Sequence, residues 1–179
     1  MKTYISILRG INVSGQKLIK MKSLQEMYVG LDFRNVRTYI QSGNVVFESN
    51  APEAGNLEKT ISAAILKTFG FEVPVIVLGK EELRSISEHN PFIRQRGEDI
   101  ARLHVTILSA EPEHSLTETI GHDEYLPDEF YISGRSIYLF CPNGYGNTKL
   151  SNTFYEKKLK VMATTRNWKT VLELVKISE

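Results

Sequence analysis

The sequence predicts an α+β fold made of two tandem ferredoxin-like (split βαβ) halves with extra C-terminal helices. Three observations carry this expectation. Strand-like and helix-like segments follow one another as β-α-β-β-α-β over the first 80 residues, which is the split βαβ order. A similar order restarts near residue 102, and at the same step of it YIQSGNVVF (39–47) is echoed by YISGRSIYLF (131–140), which favours an internal duplication. Finally, 179 residues with 41% hydrophobic side chains can bury a real core, as one domain or as two small ones.

Taken in order, residues 3–8 are β-branched, aromatic or aliphatic and stop at Arg9-Gly10, the pattern of a buried strand. A polar loop runs on to about Lys20. Met21, Leu24, Met27 and Tyr28 then recur at helical spacing with Leu31 one turn on, and Ser23 and Glu26 stand at capping-box separation, so an amphipathic helix is expected. Residues 35–40 and 45–47 read as a hairpin around Gln41-Ser42-Gly43-Asn44, a turn in which Gly43 supplies positive φ. Pro52 and Glu53 open a second helix, whose stripe of Leu57, Ile61, Ala64, Ile65 and Leu66 stops at Gly70, and residues 73–78 form the fourth strand. These elements make an N-terminal half over 1–80.

A helix over 80–88 and a charged connection through 94–99 then set a helix-and-linker segment at 81–101. The C-terminal half, 102–179, begins with a strand at 102–108 and a short helix at 112–120. A second hairpin follows, 129–132 with 136–141 around Ser133-Gly134-Arg135. Two closing helices complete it, 150–159 and 167–177, the last with Trp168, Val171, Leu172 and Val175 on one face.

Composition removes several classes of function. No stretch approaches the ~18 apolar residues of a membrane span, and residues 4–8 are too short a run for a signal segment, so a cytoplasmic protein without membrane contact is expected. The single cysteine, Cys141, excludes an intramolecular disulfide; between Phe140 and Pro142 it reads as a core thiol rather than a nucleophile. His89, His104, His114 and His122 lack helical pairing and cysteine partners, so neither a metal nor a cofactor is expected. Asp123, Glu124, Asp128 and Glu129 read as a solvated turn. No G-x-S-x-G, H-E-x-x-H or dinucleotide fingerprint occurs, GYGNTK at 144–149 does not have the spacing of a phosphate-binding loop, and the strand strings of an RNA-recognition motif are missing.

Charge is more informative than its total of +1. Residues 1–37 carry a net +5 and residues 149–169 another +5, whereas 38–148 carry −8. The two basic segments also hold the most polar, glycine-bearing strings. Were they to meet, they would form a positive surface suited to phosphate or nucleic acid; each is equally an ordinary solvated face.

In a split βαβ unit the end of strand one and the turn between strands two and three emerge together. Arg9, Asn12, Gln41, Ser42 and Asn44 are therefore expected as neighbours, with Lys17 on the same loop, and the following helix points its positive N-terminal end the same way. These side chains either hold an anion or tie down the loop's own carbonyls. In the second string, Ser151 is the expected cap of one helix, and Thr164 or Thr165 of the last, leaving Arg166 exposed in its first turn beside Asn167. Lys149 and Asn152 complete that set. Trp168 either anchors the last helix or stacks on a base.

LRGINVSG (8–15), the Met-led helix at Met21, RTYIQSGNVVF (37–47), TKLSNTFYEKKL (148–159) and ATTRNW (163–168) occur in this order along almost the whole chain. In these strings it resembles the bacterial family labelled domain of unknown function 1697. The resemblance implies two linked ferredoxin-like α/β halves and no particular activity. The functional expectation is a binding module for a phosphorylated small molecule or nucleic acid; the alternatives are an enzyme acting on a small anionic metabolite and a protein-interaction scaffold.

Overall fold

The computed structural model describes all 179 residues and is α+β, with two four-stranded antiparallel sheets and seven α-helices. The chain divides into two units, residues 1–85 with 173–179, and residues 86–172.

In the first unit the order is β1 (Lys2–Leu8), α1 (Met21–Val29), β2 (Arg34–Tyr39), β3 (Asn44–Ser49), α2 (Ala54–Phe69) and β4 (Val75–Gly79), and the sheet runs β2-β3-β1-β4. β1 lies between β3 and β4 in registers that pair Ile7 with Asn44 and Leu8 with Val75. Its position explains its composition, because an inner strand with buried residues on both faces reads as a nearly continuous apolar run. The period-two set Tyr4, Leu8, Val45, Phe47, Val75 and Val77 packs with Leu24 and Tyr28 of α1 and Leu57, Ile61 and Ile65 of α2. Phe33 stacks on Phe47 at 4.6 Å between ring centroids, and Tyr28 meets both edge-on. Burial of each such ring contributes about 1.5–3 kcal/mol. Tyr28 also keeps its hydroxyl paired, 2.7 Å from Ser6 Oγ.

Lys20, not Ser23, occupies the cap position of α1, so Ser23 and Glu26 lie inside the helix and form no capping box there. The start is set by the preceding loop, which holds Ile19 buried one residue before Lys20.

The second unit holds α4 (Pro91–Arg96), β5 (Leu103–Leu108), α5 (His114–Thr117), β6 (Glu129–Ser133), β7 (Ser136–Phe140), α6 (Asn152–Leu159) and β8 (Ala163–Asn167). α3 (Lys80–Glu88) and α7 (Trp168–Ser178) each cross a unit boundary in sequence. The sheet order is β6-β7-β5-β8, the same as in the first unit. Its core gathers Leu108, Phe130, Ile137, Leu139, Cys141, Leu150, Tyr155 and Leu159.

Two elements differ from the sequence expectation. The charged connection at 94–99 begins inside α4, which is capped by Asn90 Oδ1 on Phe92 N and closed by Gly97 in the left-handed region. ATTRN is a strand, β8, paired along β5, so neither Thr164 nor Thr165 caps a helix. Their β-branched side chains suit the pleat.

The last strand of each unit makes the same unusual bond. Val77 N donates to Glu58 Oε1 of α2 at 2.9 Å, and Ala163 N donates to Glu156 Oε1 of α6 at 3.0 Å. No helix is long and apolar enough to cross a membrane.

Candidate functional site

The registers of β1 bring three connections to one end of the first unit: the loop 9–20, the turn 40–43 and the segment 70–74. Backbone bonds join them, Leu8 N to Gly43 O at 2.8 Å and Arg9 N to Pro74 O at 3.0 Å. Within the loop, Asn12 N bonds Lys17 O and Gln16 N bonds Val13 O, with Ser14 and Gly15 at φ 51° and 72°. Positive φ at both central residues is the mark of a type I′ turn, so residues 12–17 form a miniature hairpin of their own.

Asn12 locks this hairpin in place. Its Oδ1 accepts from Ile19 N at 2.8 Å, while its Nδ2 donates to Ile19 O at 3.0 Å and to Gln41 O at 2.8 Å. Asn12 and Gln41 are thus neighbours, but the contact uses the carbonyl of Gln41. Lys17 Nζ donates to Glu72 O at 2.7 Å and ties the hairpin to the third segment. Asn44 is buried, with Nδ2 donating to Tyr39 O at 3.0 Å and Ser42 Oγ at 3.1 Å. Gly43 has φ 83°, and a Cβ there would stand 2.7 Å from Ile11 Cδ1 and 2.8 Å from Leu8 Cβ. Arg9 is half-buried.

The three connections carry Arg9, Lys17 and Lys20 against one acid, Glu72. α1 opens directly from them with a lysine at its cap, no side-chain cap bond and no acid in its first turn. By contrast α4, α6 and α7 start under the side chains of Asn90, Ser151 and Asn167. Sequence reasoning did not single out the aliphatic side chains on the same loops. Val13 is 57% exposed, Leu18 66% and Ile40 46%, and Ile40 sits at φ 50°, a conformation that costs a non-glycine residue about 1–2 kcal/mol. The Ser14-Gly15 pair was the available signal for the turn; nothing in the sequence marked the aliphatics as outward.

In the second unit the predicted residues serve different neighbours. Ser151 Oγ caps α6 by accepting from Phe154 N, as expected. Asn152 Oδ1 accepts from Thr165 Oγ1 at 2.7 Å, and that hydroxyl lies 2.7 Å from Thr106 Oγ1 across β5 and β8. Arg166 is on β8 and 9% exposed rather than displayed on a helix. Its Nη1 bonds Thr164 Oγ1 and Thr165 O, and burial lowers the guanidinium pKa to about 10. Asn167 Oδ1 accepts from Thr170 N and caps α7. Trp168 is fully buried, with its ring centroid 6.2 Å from that of Tyr138, so it cannot stack on a base.

Lys149 is exposed and lines a cleft of about 180 Å³ with Glu124, Tyr125, Asp128, Asn143 and Asn147. Behind the same segment Cys141 is buried, and that burial, with the nearby charge of Asp128, raises its thiol to about 11 against an opposing bond from Thr148. Glu129, from the acidic cluster, pairs with Arg96 through two bonds of 2.9 and 3.0 Å. No group of three or more His, Cys, Asp or Glu residues is placed to hold a metal ion.

Residues 1–138 match the model of a family described as protein of unknown function (DUF1697). Among solved structures, that of a conserved bacterial protein from Streptococcus pneumoniae is similar at a TM-score of 0.70 and 23% sequence identity, with 99% of each chain covered. At that identity the likeness is one of fold. A search of the curated proteins finds no match.

Proposed function

The chain belongs to the DUF1697 family of proteins of unknown function, and from that premise we propose that it is a binding module for a phosphate-bearing ligand. The ligand docks at the loop end of the first unit. The observation that carries this reading is the start of α1, where a helix N-terminus, a cap-position lysine and two further cations share one end with a single acid. A helix dipole places about half a positive charge at that end, and a lysine there adds to it instead of offsetting it. An anion relieves both. The pinned hairpin supports the reading, because a loop already ordered loses little freedom when a ligand arrives. Arg166, Asn152 and Asn167 have partners inside the second unit, which shifts the weight of the proposal to Arg9, Lys17 and Lys20.

We read both units as ferredoxin-like halves produced by duplication, on the strength of one strand order occurring twice and of Glu58 and Glu156 bonding equivalent strands. A reducing, cytoplasmic location suits the lone buried thiol. A second reading, an enzyme for a small charged metabolite, is favoured only by the cleft at Lys149, where carboxylates, amides and an ammonium line one space.

The test is the anisotropy of a labelled single-stranded oligonucleotide, a string of phosphates, titrated at rising salt. Binding should weaken steeply, and Lys17→Gln with Lys20→Gln should reduce the logarithmic salt slope by roughly 0.7 for each phosphate no longer neutralised. Binding that is indifferent to salt and to both substitutions would overturn the reading.

A further inference from the structure

We propose that the anion met by this loop end is the headgroup layer of an anionic lipid surface, an inference that rests on the reading just given and names its ligand. The exposed face of the loops is not purely ionic. Val13 lies in the type I′ hairpin and Leu18 follows it directly, Ile40 stands on the turn that Asn12 ties to it, and Arg9, Lys17 and Lys20 belong to the same loop.

A hydrophilic polyanion uses the cations but leaves three aliphatic side chains in water. Open surfaces that hold single-stranded nucleic acid add exposed aromatic side chains for stacking; residues 9–20 and 40–43 contain none, and the one aromatic of the third connection, Phe71, is half-buried and stacked on Phe69. Aliphatics amid lysine and arginine match a different medium, in which cations sit among headgroup phosphates while the apolar tips enter the acyl boundary. Such contact would be shallow. The turn tip, Ser14-Gly15, carries exposed backbone polar groups that must remain at headgroup depth. Stiffness suits this mode as well, because Asn12 and Lys17 hold Val13 and Leu18 outward before any contact is made.

The experiment sediments the full chain with vesicles of phosphatidylcholine alone and of phosphatidylcholine with phosphatidylglycerol, beside the oligonucleotide titration. Wild type should bind the anionic vesicles and not the neutral ones. Leu18→Ser should weaken vesicle binding about tenfold, the loss of most of one leucine's burial, while leaving oligonucleotide binding unchanged. Lys20→Gln should weaken vesicle binding about fivefold. Oligonucleotide binding without vesicle binding, or vesicle binding indifferent to Leu18→Ser, overturns the lipid inference and leaves the anion reading standing. Failure to bind either ligand at low salt overturns both.

Discussion

Replacing Gly43 by alanine tests the geometry on which the whole loop end depends. Two costs arise. The residue lies at φ 83°, where a Cβ costs about 1–2 kcal/mol, and the added atom would stand 2.8 Å from Leu8 Cβ and 2.7 Å from Ile11 Cδ1. Ile11 can swing its terminal methyl, but Leu8 Cβ is fixed to a fully buried strand end, so the backbone must yield, at the ~1–3 kcal/mol typical of overpacking. Together these give about 3 kcal/mol, or a fall in melting temperature of about 6–12 °C for a chain of this length. Gly15→Ala is the internal control. Its φ is 72° but nothing lies within 4 Å of the added atom, so only the conformational cost applies. Thermal unfolding followed by circular dichroism reads both variants, and the restriction of the unfolded chain by alanine cancels in their difference. Equal losses in the two would refute the steric argument.

Asn12→Ala removes three hydrogen bonds and leaves a non-glycine residue at φ 54°, so a loss of about 2 kcal/mol is expected; hydrogen exchange should accelerate across residues 12–19 while the strand amides of β1 keep their protection. Cys141 makes stability fall in alkali. Its folded pKa is raised to about 11 from 9, so the unfolded chain releases the proton first; the contribution is intact below pH 9 and lost as pH rises through 11. Cys141→Ala shifts the baseline by the lost core packing, so urea titrations at pH 8 and 10 should show wild type losing more stability between the two pH values than the variant, and an equal decline in both proteins would discount the thiol.

Much of the topology was legible because it rests on periodicity. The nearly continuous apolar runs of β1 and β3 follow from burial on both faces, and the stripes of α1 and α2 from burial of one. β8 was hidden for the converse reason. Two of its three buried positions hold Thr164 and Arg166, polar residues that no hydrophobic pattern reveals, and their burial is sustained by bonds among Thr164, Thr165 and Arg166. α4 was hidden too, since only Phe92 of its six residues is buried and Arg94-Gln95-Arg96 reads as loop; Asn90-Pro91, a cap followed by proline at the first turn, was the signal. At the loop end, strand direction alone gathered Arg9, Asn12, Gln41, Ser42 and Asn44. What each side chain bonds depends on positive-φ geometry at Asn12, Ser14 and Ile40, which composition does not encode.

The carboxylates of Glu58 and Glu156 bear on how the protein behaves when crowded. An outermost strand normally offers its amides to any extended peptide that drifts alongside, and that is how sheets polymerise. Here the outward amide of Val77 and that of Ala163 are already taken by an acid from the same unit, and an intruding strand would have to displace a charged acceptor to align. In each sheet one rung that a neighbouring strand would need is thus already occupied on the finishing strand, at Val77 in β4 and at Ala163 in β8.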